Sequence, residues 1–155
     1  MLNRIHFSAA ILATLTIATF FAATIFVELF GTHQSIASIK ALIVMPGLFI
    51  LVPAIATTGA SGFLLSKSRQ GKLVTAKLKR MPFIAANGLL ILIPCAIFLN
   101  HWAATQTFDA RFYALQSVEI IAGAINLLLM SLNIRDGLKL RGNIRQAATA
   151  QSQQA

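Results

Sequence analysis

The residues most able to do chemistry lie along one face of the fourth apolar segment of the chain. Six mostly polar or small residues recur there at steps of three and four, which keeps them on one side of a helix: Gln116, Glu119, Gly123, Asn126, Met130 and Asn133. Glu119 lies roughly 10 Å inside the segment at 1.5 Å per residue. A carboxyl group at that depth in a membrane must be protonated, paired with a cation or hydrated in a cavity. The pattern predicts an inward-facing site centred on Glu119.

Other segments place polar groups in the same half of the membrane. Glu28 ends the first apolar segment, and His101 ends the third, seven residues after Pro94 and fourteen after Asn87. We therefore predict a ligand-binding site made of Glu119, Gln116, His101, Glu28 and Asn126. A structural alternative stays open, in which Glu119 pairs with Lys40 only to fix the register of the helices.

Redox and metal chemistry have fewer candidates. His33 and His101 are expected on the same side of the membrane and are the weak candidates for axial ligands of a b-type haem. Together with Glu28 and Glu119 they also make a mixed His/carboxylate metal site conceivable. The cofactor stays unidentified, and the lone Cys95 rules out a cysteine metal cluster or a disulfide framework. Because no nucleophile or phosphate-binding motif is present, the sequence favours a non-enzymatic protein.

The elements that must position these groups are membrane helices. Hydrophobic residues make up 57 % of the 155 residues and charged residues 11 %, against about 25 % charged in soluble domains. Four apolar runs are long enough to span a bilayer, at about 7–30, 39–65, 83–104 and 112–134. We predict an all-α, antiparallel four-helix membrane bundle in one domain, 1–145, with helix 2 kinked by Pro46 and Pro53 and a disordered tail, 146–155.

The basic residues predict the orientation. Eleven Lys and Arg residues fall before the first run, between the second and third, or after the fourth, whereas only Lys40 and Arg111 fall on the other side. The positive-inside rule therefore places both termini in the cytoplasm. The charge is explained by insertion into an anionic membrane, so nucleic acid is not expected as a partner. Membrane lipids are expected as partners. Headgroup contacts are predicted in the basic segment 66–81, at Lys72, Lys77, Lys79 and Arg80.

About half of the chain falls in three stretches, VMPGLFILVPAIATTGASGFLL, KLKRMPFIAANGLL and FYALQSVEIIAGAINLLLMSLNIRDGLKL. Together these stretches resemble small, uncharacterised four-helix inner-membrane proteins of Gram-negative bacteria, and the resemblance implies the bacterial inner membrane without implying an activity. We expect an integral membrane ligand-binding or accessory protein with a polar pocket in the periplasmic half. The alternatives are a proton-coupled transporter of a small or lipophilic molecule and a small b-type cytochrome or metal-binding protein. The sequence leaves open whether the protein binds another membrane protein or forms a homo-oligomer.

Overall fold

The computed structural model describes residues 1–67 and 72–152, and within them the side chains of all but 67, 72, 73, 140, 141 and 143–152. The described chain is helical apart from short connections. Its α-helices are α1 (Leu2–Phe30), α2 (His33–Leu42), α3 (Leu48–Lys67), α4 (Lys72–Asn87), α5 (Ile93–Ala104) and α6 (Ala110–Ser152). Two π-helical segments, Ile43–Gly47 and Gly88–Leu92, join α2 to α3 and α4 to α5.

These helices form four spans, each long and apolar enough to cross a membrane. The spans are Leu2–Phe30, His33–Ser66, Val74–Ala104 and Ala110–Lys139. The prediction of an all-helical protein with four membrane-length helices is therefore confirmed. The α6 helix runs on to Ser152, and the predicted disorder of residues 146–155 stays a prediction because the side chains from 143 onward lie outside the described part.

The third span begins earlier than the sequence analysis predicts. The basic segment, expected to precede a helix starting at residue 83, instead forms the first part of α4, which continues through Pro82. Val74 is buried, and Lys77 and Arg80 contact side chains of α1 and α6. These contacts explain why the segment packs onto the other helices as part of the third span.

The second span is interrupted near its middle. Met45 has φ −137° and ψ 115°, outside the helical region, and is joined by a cis peptide bond to Pro46. Pro46 has no backbone N–H to donate to the helix. Next to it, Gly47 lies against the ring of Phe20 so closely that a side chain there would clash. The interruption thus sits where the second span packs tightly on α1.

Two clusters of buried apolar residues lie among the described residues. One, the Leu99 cluster, joins residues near one end of the spans: Val27, Ile36, Cys95, Leu99, Ala103 and Phe112. The other, the Met130 cluster, lies nearer the start of α1 and further along α6: Ala13, Ile17, Leu51, Ala54 and Met130. The α6 residues between the two clusters include Gln116, Glu119 and Asn126, so a polar layer separates two apolar ones.

Candidate functional site

The centre of the polar layer is an ion pair between α2 and α6. Thr32 caps α2 by accepting a hydrogen bond from the backbone N–H of Ser35, at 3.3 Å. One turn before its end, α2 directs Lys40 inward, where the side chain is 0 % exposed and its Nζ donates to Glu119 Oε2. Glu119 itself is 12 % exposed. A charge buried this deeply is stable only with such a partner.

Gln116 and Glu28 surround this pair. Gln116 Nε2 donates to Glu119 Oε2 at 2.9 Å, one turn away on α6. Glu28, on α1, lies within electrostatic range of Lys40 and Glu119. Glu28 Oε1 and Gln116 Oε1 are buried, and neither has a hydrogen-bond partner among the described residues. Three spans thus supply one acidic and amide-rich cluster that contains a single lysine among its described side chains.

Asn126 lies two turns further along α6 and is the most unusual polar group of the site. Its side chain is 0 % exposed. Neither Nδ2 nor Oδ1 has a hydrogen-bond partner in the described chain. A Cβ added at Gly88 would lie 3.9 Å from Nδ2 and would meet nothing closer, so open space adjoins the amide. An unpaired buried amide costs about 1–3 kcal/mol, and its retention calls for an explanation.

The open space is a cavity of about 170 Å³ between the spans. Its walls are almost entirely hydrocarbon and include the rings of Phe20 and Phe21. Besides backbone, the polar groups at the wall are Thr24, Glu119 and Asn126. Residues of all four spans contribute, so the cavity exists only when the helices are assembled.

The cavity is partly open rather than fully enclosed. Val52 and Ala56 of α3, and Leu89 of the third span, line the cavity and are also exposed. These residues are apolar and lie within membrane-length helices. In a bilayer such an opening faces lipid chains rather than water.

Neither candidate haem ligand lines the cavity. His101 is exposed near the end of α5, and no hydrogen bond in the described chain joins its ring to Glu119. His33 is also exposed, and its ring stacks on Phe108 at a centroid distance of 4.1 Å. Among the described residues no three His, Cys, Asp or Glu side chains are grouped closely enough to hold a metal ion.

The basic residues of α4 form a second polar cluster that sequence reasoning did not predict. Lys77 Nζ lies 3.2 Å from His6 Nε2. His6 Nδ1 lies 3.1 Å from the carbonyl oxygen of Thr58 and 3.0 Å from Ser61 Oγ. Arg80 donates to the buried Asp136 at 2.6 Å.

The four residues predicted to contact lipid headgroups therefore differ in their surroundings. The side chains of Lys77 and Arg80 point toward other spans, Lys79 is exposed, and the side chain of Lys72 lies outside the described part. The sequence contains a signal for the second cluster. Asp136 follows Asn133 by three residues and therefore extends the inward face of α6.

Comparison with known proteins found no matching family model, no matching curated protein and no matching solved structure.

Proposed function

We propose that this protein is a non-enzymatic, ligand-binding protein of the bacterial inner membrane that holds a lipophilic molecule in the cavity beside Asn126. The observation that carries the proposal is the pair of unpartnered amide atoms on the wall of an apolar cavity. Ligand sites are typically apolar pockets with a few well-placed polar groups that orient the bound molecule. A ligand that hydrogen-bonds Asn126 would remove the cost of the unpaired amide.

The polarity of the cavity favours a lipophilic ligand. Hydrocarbon surrounds most of the space, and the charge of Glu119 is already compensated by Lys40. A charged ligand would lose its hydration without gaining an opposite charge, which is strongly unfavourable in an apolar surrounding. The lateral opening at Ala56 gives an apolar molecule a route from the bilayer.

The test is mass spectrometry of lipophilic molecules that co-purify with the protein. Wild type is compared with Asn126→Leu and with Asn133→Leu, a matched control because Asn133 lies seven residues further along the same helix face and outside the cavity wall. We expect one apolar species at near-stoichiometric amounts in wild type and Asn133→Leu and a large loss in Asn126→Leu. Equal amounts in all three samples, or only bulk phospholipid in wild type, would overturn the proposal.

We also propose that both termini lie in the cytoplasm. The end of the bundle that carries Lys77, Arg80 and Arg135 holds most of the basic residues, whereas Lys40 is paired inside the protein. This distribution supports the orientation derived from the positive-inside rule. Lys79, exposed on α4, is a candidate for lipid-phosphate contact at that end.

A second candidate function is proton-coupled transport of the lipophilic molecule. The observation that favours it is that Glu119 lies at the cavity wall while it is bonded to Lys40 and Gln116. Intramembrane carboxylates are common sites of proton exchange in transporters. The test is proton flux into proteoliposomes on addition of the ligand found above, with Glu119→Gln as the variant. Transport requires proton flux in wild type and no proton flux in Glu119→Gln. Ligand binding without proton flux in wild type would rule out transport and leave ligand binding as the function.

A further inference from the structure

The ligand of the cavity can be narrowed by size, shape and hydrogen bonding. We infer that it is an uncharged lipid of the quinone class, whose ring lies in the cavity with a carbonyl accepting from Asn126 Nδ2 and whose chain leaves past Ala56. This inference rests on the proposed binding function and names its ligand class.

The volume of the cavity is suited to one six-membered ring of the ligand. A cavity of about 170 Å³ is close to the roughly 150 Å³ of an apolar protein cavity that accommodates benzene. A complete lipid does not fit this space, so only its head can be enclosed. The remainder must extend through the opening formed by Val52, Ala56 and Leu89.

The residues that line the cavity suit a flat ring as the head of the ligand. Phe20 and Phe21 both line the cavity from α1, and Phe21 lies close to Gly123, where a Cβ would be 3.2 Å from the ring. Aromatic rings pack favourably on other flat rings in offset or tilted arrangements. The missing side chain at Gly88, which also lines the cavity, leaves space beside the Asn126 amide.

The polar groups agree with a neutral carbonyl or hydroxyl group. Asn126 offers one unpaired donor and one unpaired acceptor. A quinone carbonyl accepts from Nδ2, and the hydroxyl of the reduced form can also donate to Oδ1. The amide therefore accommodates both redox forms of such a head without itself taking part in electron transfer.

The experiment measures binding of a decyl-substituted benzoquinone to the full-length protein in nanodiscs, with retention by empty nanodiscs subtracted. Dodecanol and lauric acid serve as ring-free probes of similar chain length. The variants are Asn126→Leu, which removes the hydrogen bond, and Gly88→Leu, which fills the cavity next to the amide. Gly59→Leu is the matched control, because a Cβ at Gly59 meets nothing within 4 Å and the residue does not line the cavity.

We expect the quinone to bind wild type and Gly59→Leu equally and more tightly than either ring-free probe. Asn126→Leu should weaken binding about tenfold, which corresponds to about 1.4 kcal/mol, and Gly88→Leu should abolish it. Binding of a ring-free probe that depends on Asn126, with no such binding of the quinone, would overturn the ligand class and leave the binding function standing. Absence of Asn126-dependent binding for all three probes, together with no co-purifying ligand, would overturn both.

Discussion

Replacing Asn126 with leucine should stabilise the protein while removing its ligand. Leucine has nearly the shape of asparagine but no polar atoms, so the variant removes two buried groups that lack partners. An unsatisfied buried polar group costs about 1–3 kcal/mol. We therefore expect the ligand-free variant to have a free energy of unfolding higher by about 1–3 kcal/mol.

Asn87→Leu serves as a comparison, because this variant should lower the free energy of unfolding. Asn87 Nδ2 donates to the backbone carbonyl oxygen of Ala122 at 2.8 Å and so joins α4 to α6. Hydrogen bonds between membrane helices contribute about 0.6 kcal/mol on average, and this variant loses one. The small gain in helix propensity from Asn to Leu is common to both variants and cancels in their difference.

The measurement is unfolding of delipidated protein in mixed micelles of increasing SDS fraction, followed by circular dichroism. The free energy of unfolding of Asn126→Leu should exceed that of Asn87→Leu by at least about 1 kcal/mol. Equal values, or a lower value for Asn126→Leu, would mean that the Asn126 amide is satisfied within the fold. No ligand would then be needed to explain the burial of this amide.

Three further predictions concern the ion pairs and the orientation. Lys40→Met should lower the free energy of unfolding by about 3–5 kcal/mol in the same assay, because Glu119 is left buried without its cation; a change below 1 kcal/mol would contradict a buried pair. Arg80→Ala should lower it by about 1–3 kcal/mol, because Asp136 stays buried, and Lys79→Ala, at an exposed position, should change it little. Alkaline phosphatase, which is active only in the periplasm, should be inactive when fused after the C-terminus and active when fused after Gly31, whereas the reverse pattern would show the opposite orientation.

The sequence predicted the parts of this fold that depend on composition and period. Four apolar runs of membrane length gave four spans, and steps of three and four on α6 placed Gln116 and Asn126 on a face that the structure buries. The alternative pairing of Glu119 with Lys40 followed from the need to neutralise a deep carboxylate, and the structure contains that contact.

The remaining features depend on helix rotation and packing, which a single sequence does not determine. His101 was expected beside Glu119, but the structure leaves its side chain exposed near the end of α5. The cavity is lined by Gly88 of the third span and Gly123 of α6, and no local sequence pattern indicates that these two positions meet at one cavity. The start of the third span was predicted too late because the basic segment 66–81 was assigned to a connection between spans. In the structure α4 begins within this segment and continues through Pro82, and Lys77 and Arg80 contact other spans.

The ion pair and the amide stand about 10 Å apart on α6, which is two turns at 1.5 Å per residue, and both lie at the cavity wall. Two roles of Glu119 can be separated by the double variant Lys40→Met/Glu119→Leu, because replacing both partners of a buried pair with apolar residues often restores stability. We expect this variant to recover the stability lost in Lys40→Met and to keep binding of the decyl-benzoquinone within about threefold, or about 0.7 kcal/mol, since the ligand's hydrogen bond is made to Asn126. Restored stability with lost binding would instead show that the Glu119 carboxylate contacts the ligand. Glu119 would then be a ligand-contacting group of the kind that proton-coupled transport requires, and the pair with Lys40 would be more than a structural contact between α2 and α6.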